Sequence, residues 1–135
     1  MLRRMQPSKP VRIVVIDDHL VHLADLATLL RGAGYEVAPF PSGSAALASL
    51  GKGWPHLVVT DVFMPEMDGF EVLSIIQRVY PTLPVIAISD DVEGNGAKFL
   101  DRMLRLGARA AFPKPLDEAE FLRAVAVLTT GFGKR

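Results

Sequence analysis

Leu57-Val58-Val59-Thr60-Asp61-Val62-Phe63-Met64-Pro65-Glu66-Met67-Asp68-Gly69 decides the fold: a short apolar run stops at an acid, a turn-rich loop follows, and Gly69 opens a helical pattern. An apolar run this short, bounded by turn residues, predicts a strand buried on both faces of a parallel sheet. Beyond Gly69, the apolar residues Phe70, Leu73, Ile76 and Val79 keep helical spacing up to Pro81, which predicts a crossover helix ending before that proline.

The same unit recurs on either side. Val11 to Ile16 is a β-branched run that ends in Asp17 and Asp18, and Leu20 to Leu30 follows with Leu20, Leu23, Ala24, Ala27 and Leu30 at spacings of three and four. Gly32 and Gly34 act as its stop signals. Tyr35 to Phe40 predicts a second strand closed by Pro41, and Ser42 a cap for a helix through Leu50. Downstream, Val85 to Ile88 predicts strand four, and Ala97 to Leu106 a helix ended by Gly107. Ala108 to Phe112 predicts strand five, and Asp117 to Leu128 a helix with Phe121, Leu122, Val125 and Leu128 inward.

Five strands alternating with five helices predict an α/β fold, because each helix must carry the chain back to start a parallel strand. In such sheets, function gathers at the carboxyl ends of the strands, above all where the strand order reverses. Asp17, Asp18, Asp61, Ser89 and Lys114 all fall at those ends.

Composition sets the bounds. The 135 residues, half of them apolar, suffice for one core. Fifteen basic residues balance fifteen acidic ones, so no charge bias favours nucleic acid, and direct DNA binding would need another domain. There is no cysteine, which excludes disulfides and thiolate metal sites and accords with a cytoplasmic location. No apolar run reaches the roughly 18 residues of a membrane span, so a soluble chain without membrane insertion is expected. Residues 1–10 read as a flexible tail, 11–130 as the domain and 131–135 as a C-terminal tail, a pattern that favours a stand-alone protein.

Three carboxylates crowded at two strand ends repel one another unless a cation sits among them or one stays protonated. Mg²⁺ suits such a site, because it prefers oxygen ligands and keeps waters that a phosphoryl oxygen can replace. The Ser89 hydroxyl and the Lys114 ammonium supply donors for charge developing on that group.

With the double acid Asp17-Asp18, the Asp61-to-Gly69 segment, Ser89 and Lys114-Pro115 in this order, the chain resembles the response-regulator receiver family, of the chemotaxis-regulator type, from Val11 to Leu128. The resemblance implies a doubly wound five-stranded parallel sheet of flavodoxin-like order 2-1-3-4-5, with helices on both faces. It implies that Asp61 accepts a phosphoryl group from a sensor histidine kinase, a phosphotransfer protein or a small phosphodonor. Asp18 and Asp61 would ligate Mg²⁺ directly, Asp17 largely through water, and Phe63 through its backbone carbonyl. Ser89 would follow the phosphoryl group, Lys114 would contact the phosphorylated side chain, and the Lys114-Pro115 bond would be cis. A downstream protein would read helix four, strand five and helix five.

Two positions depart from the family pattern. Ala111 stands where an aromatic switch residue is usual, and Asp90, followed by Asp91, stands where a small residue is usual. Asp90 either narrows the pocket mouth and repels a phosphodonor, or points out into solvent. These departures keep a second function in view, a receiver-like interaction module with weak or no phosphorylation. A small phosphohydrolase is disfavoured by Phe63, where a second acid would be needed, and a flavodoxin by acids where a cofactor phosphate would lie. His19, His22 and His56 lack metal-ligand spacing and are read as ordinary surface residues, Trp54 and Phe40 as packing groups, and Gly94-Asn95-Gly96 as a flexible turn.

Overall fold

The computed structural model describes residues 10–53, 55–90 and 94–130. Both expected tails, apart from Pro10, lie outside the described residues, as do Trp54 and Asp91. The elements are β1 (Arg12–Ile16), α1 (Leu20–Gly32), β2 (Glu36–Phe40), α2 (Gly43–Leu50), β3 (Leu57–Asp61), α3 (Gly69–Val79), β4 (Val85–Ser89), α4 (Gly96–Arg105), β5 (Ala110–Pro113) and α5 (Glu118–Thr129). Every strand pair is parallel, in the order β2-β1-β3-β4-β5. This is the doubly wound arrangement expected from the sequence.

Alternation along the strands divides the core into two layers, since successive side chains point to opposite faces. Ile13, Val15, Leu57, Val59, Ile86 and Ile88 pack with residues of α1 and α5. Val14, Ile16, Val58, Val85 and Ala87 pack on the other face with residues of α2, α3 and α4. β3 and β4 are buried at every position, as expected of central strands covered on both sides.

β2 carries Pro39 within a strand, which an edge tolerates. Glu36 donates to Val11 and Phe40 accepts from Asp17, so the even-numbered residues of β2 bond to β1. The odd ones face outward, where Arg31 Nη2 donates to the Val37 carbonyl at 3.0 Å.

The structure corrects several expectations. Gly32 is the last residue of α1 rather than its stop; the chain turns at Ala33 and at Gly34, whose φ is +100°. Leu20 is 68% exposed, and the buried stripe of α1 is Leu23, Ala27 and Leu30. Val79 is 56% exposed, and α3 buries Val72 in addition to Leu73 and Ile76. Gly96 opens α4 rather than lying in a turn, and β5 begins at Ala110, two residues later than expected. Spacing alone does not tell which side of a two-sided pattern meets the sheet. Among the described residues no helix is long and apolar enough to cross a membrane.

Candidate functional site

β1 and β3 are neighbours, but their following crossovers lead to opposite edges of the sheet, which opens a crevice at their carboxyl ends. Asp17 and Asp18 follow β1 directly and Asp61 ends β3. One oxygen from each carboxylate lies within 4.8 Å of the others, with Asp17 and Asp61 buried and Asp18 exposed. These three are the acids singled out from the sequence.

The position of Asp61 is set by close packing behind it. Gly69 N–H donates to the Val62 carbonyl at 2.8 Å, and a Cβ on Gly69 would stand 2.6 Å from the Asp61 carbonyl oxygen. Only glycine lets α3 start this near the end of β3. Asp68 caps the helix, its side chain accepting from Glu71 N–H at 3.0 Å.

Lys114 enters from the end of β5, next to a cis bond to Pro115. Its Nζ donates to Asp17 Oδ2 at 3.0 Å and stands 3.3 Å from Asp61 Oδ1 and 4.0 Å from Asp90 Oδ2. The contact with Asp61 is an ion pair without hydrogen-bond geometry, and Asp61 Oδ1 is a buried oxygen with no hydrogen-bond partner among the described residues. Burial pushes the Asp61 carboxyl up to about 7; Lys114 pulls it down, while Asp17 and Asp90 add to the rise. Burial works to lower the Lys114 pKa, but its bond to Asp17 and the charges of Asp61, Asp17 and Asp90 outweigh this and raise it.

Ser89 is fully buried, and its hydroxyl donates to the Asp90 carbonyl at 3.0 Å. The Asp90 side chain is 57% exposed at the pocket mouth, with its carboxylate turned toward Lys114. Phe63 lies in the loop after Asp61, its ring edge-on to Phe99 of α4 at 4.7 Å. Ala111 borders a cavity of about 640 Å³ between α4 and β5, lined also by Leu100, Leu104 and Lys114.

The donor set fits a hard divalent cation. Three carboxylates converge, all contributing oxygen, and the orphaned Asp61 Oδ1 is the kind of buried atom that such an ion satisfies.

His22, read from the sequence as an ordinary surface residue, instead lies with Nδ1 3.2 Å from Lys114 Nζ. One signal could have found it: His22 falls one helical turn after Asp18, and helical side chains lean back toward the N-terminus. His56 is structural, its Nδ1 accepting from Arg12 N–H at 2.9 Å.

Among known proteins, the transcriptional regulatory protein ZraR of Salmonella typhimurium is 36% identical over 107 residues, 79% of this chain and 24% of that protein. The chain thus spans about a quarter of that relative's length. An uncharacterized 14.6 kDa protein from the sodA1 3′ region of Leptolyngbya boryana is 35% identical over 125 residues, 90% of this chain and 92% of that protein. The crystal structure of a response regulator from Chloroflexus aurantiacus superposes with a TM-score of 0.83 at 27% identity, covering 90% of this chain and 98% of that one. A family model for the response regulator receiver domain matches residues 13–126, a span that holds both halves of the acidic crevice and its lysine, and the chain therefore belongs to this family of two-component signalling domains.

Proposed function

We propose that this domain is a phospho-acceptor switch that takes a phosphoryl group on Asp61 from a sensor histidine kinase or a phosphotransfer protein, with Mg²⁺ as cofactor. The observation that carries the reading is the buried, unbonded Asp61 Oδ1, set between two further carboxylates and the Lys114 ammonium. Asp17, Asp18 and Asp61, with the backbone carbonyl of Phe63, would hold the ion. Once bound, Mg²⁺ supplies the positive charge that keeps Asp61 ionised and offsets charge on the transferring oxygens.

An Asp61 oxygen forms the new bond to phosphorus in line with the departing group; the bond from phosphorus to the donor nitrogen breaks and its electron pair stays on the imidazole. Lys114 stabilises charge on the phosphoryl oxygens, and Ser89 exchanges its bond to the Asp90 carbonyl for one to the phosphoryl group. The β4–α4 loop follows Ser89, biasing the surface of α4, β5 and α5 that a downstream protein reads. The domain signals from the cytoplasm rather than turning over a substrate, and binds neither nucleic acid nor membrane itself.

Intact mass after incubation with acetyl phosphate tests this. One phosphoryl group is expected on the wild type with Mg²⁺, and none without Mg²⁺ or in Asp61→Asn. An adduct that persists in Asp61→Asn would move the acceptor elsewhere. The Ala111 cavity and the Asp90 carboxylate favour a second reading, an interaction module independent of phosphorylation, and absence of any adduct under rapid quenching would select it.

A further inference from the structure

We propose that His22 is a positioning residue for phosphotransfer: it holds the Lys114 ammonium in register with Asp61 through a hydrogen bond that adds no negative charge to the site. The inference rests on the phospho-acceptor reading of Asp61.

Lysine donates only, so the 3.2 Å contact requires His22 Nδ1 to present its lone pair and places the imidazole proton on Nε2. The ring is itself held. His19 stacks on it with centroids 3.9 Å apart and planes 17° from parallel, and His22 N–H points to His19 Nδ1 at 3.4 Å. His19 N–H in turn donates to Asp17 Oδ1 at 2.9 Å, while Asp17 Oδ2 accepts from Lys114. Asp17, His19, His22 and Lys114 thus form a closed circuit of contacts around the entrance of α1. This brings together two of the three histidines, neither of which the proposed function uses.

Lys114 needs such support because its side chain is long and freely rotating, and fixing it costs entropy. Among the described residues, its ammonium is otherwise ion-paired with carboxylates: Asp17, Asp61 and Asp90. Each of them is either wanted by the cation or competes with a phosphoryl group for the ammonium. A neutral imidazole does neither. When Asp17 turns to the cation, His22 still fixes one of the three N–H bonds of Lys114, leaving the others for Asp61 and the phosphoryl oxygens.

The test compares the full chain with His22→Leu, which removes the acceptor, and His22→Asn, whose Oδ1 can stand near the place of Nδ1. Two quantities are measured: the rate of phosphoryl uptake from acetyl phosphate with Mg²⁺, and the ¹⁵N-detected ammonium signal of Lys114 in metal-free protein. His22→Leu is expected to slow uptake roughly three- to tenfold, the worth of one hydrogen bond, and to broaden the Lys114 signal through faster solvent exchange. His22→Asn is expected to recover both. If His22→Leu does not fold, His22→Ala is read in its place. Wild-type rates and a sharp Lys114 signal in His22→Leu, with the adduct still formed, would overturn the role of His22 and leave Asp61 as acceptor. Slow uptake that His22→Asn does not recover would also overturn it. A wild type that takes up no phosphoryl group would overturn the acceptor reading, and this inference with it.

Discussion

The two sides of the crevice are built differently. On the α1 and α5 side, polar groups are tied down: His19 and Asp117 cap their helices through side chains, and Lys114 is bonded to both Asp17 and His22. On the α4 side, among the described residues, the Asn95 side chain makes no capping bond, the Ser89 hydroxyl is bonded to its neighbour's carbonyl, and Ala111 borders a cavity of about 640 Å³. One side fixes the charges where chemistry is proposed. The other is lightly anchored, as an element that must move is expected to be.

The largest expected effect tests how far the tied-down side holds charge at a cost. In metal-free protein the Asp61 carboxyl titrates near 7, against its ordinary value of 3.8. Between those values the folded state keeps a proton that the unfolded chain has released, so stability falls as pH rises from about 4 through about 7 and then levels off. Asp61→Asn is expected to abolish that slope and, above about pH 8, to stabilise metal-free protein by up to about 4 kcal/mol in urea unfolding. A slope unchanged in Asp61→Asn would place the strain elsewhere.

A second test enlarges matched alanines on the two sides. Ala27 on α1 is 2% exposed within packed core, so Ala27→Phe is expected to cost about 1–3 kcal/mol, or more, through overpacking. Ala111 borders open space, so Ala111→Phe is expected to change stability by less than about 1 kcal/mol. Equal costs at the two positions would erase the contrast.

The smallest effect concerns the caps. Asp117→Ala removes a bond from Glu120 N–H and is expected to cost about 1 kcal/mol. Asn95→Ala removes no capping bond and is expected to cost only a few tenths of a kcal/mol, roughly. Thermal melts of the two variants separate these outcomes.

The difference between the sides also explains what could be read in the sequence. The alternation of strands with helices and the acids at the strand ends follow from periodicity and from abrupt polarity changes, such as Ile16 to Asp17 and Thr60 to Asp61, which survive any choice of rotamer, whereas the strand order rests on the family resemblance. The corrections arise where packing direction decides. Leu20 and Val79 satisfy helical spacing yet face solvent, because neither position lies over the sheet. His22 carries no motif, and its place beside Lys114 depends on two side chains 92 residues apart choosing compatible rotamers. Ala111 is visible in the sequence as a departure from the family pattern, but the cavity it borders depends on how α4 lies against β5.

The outer strand β2 bears on how copies of this chain behave at high concentration. Sheets polymerise when an unpaired edge offers a free ladder of donors and acceptors to another strand. Here the outward Val37 carbonyl is taken by Arg31, and the next outward position is Pro39, which has no N–H to give. An incoming strand would find one acceptor occupied and one donor missing within three residues, so this margin resists fibrillar stacking without needing a partner to cover it.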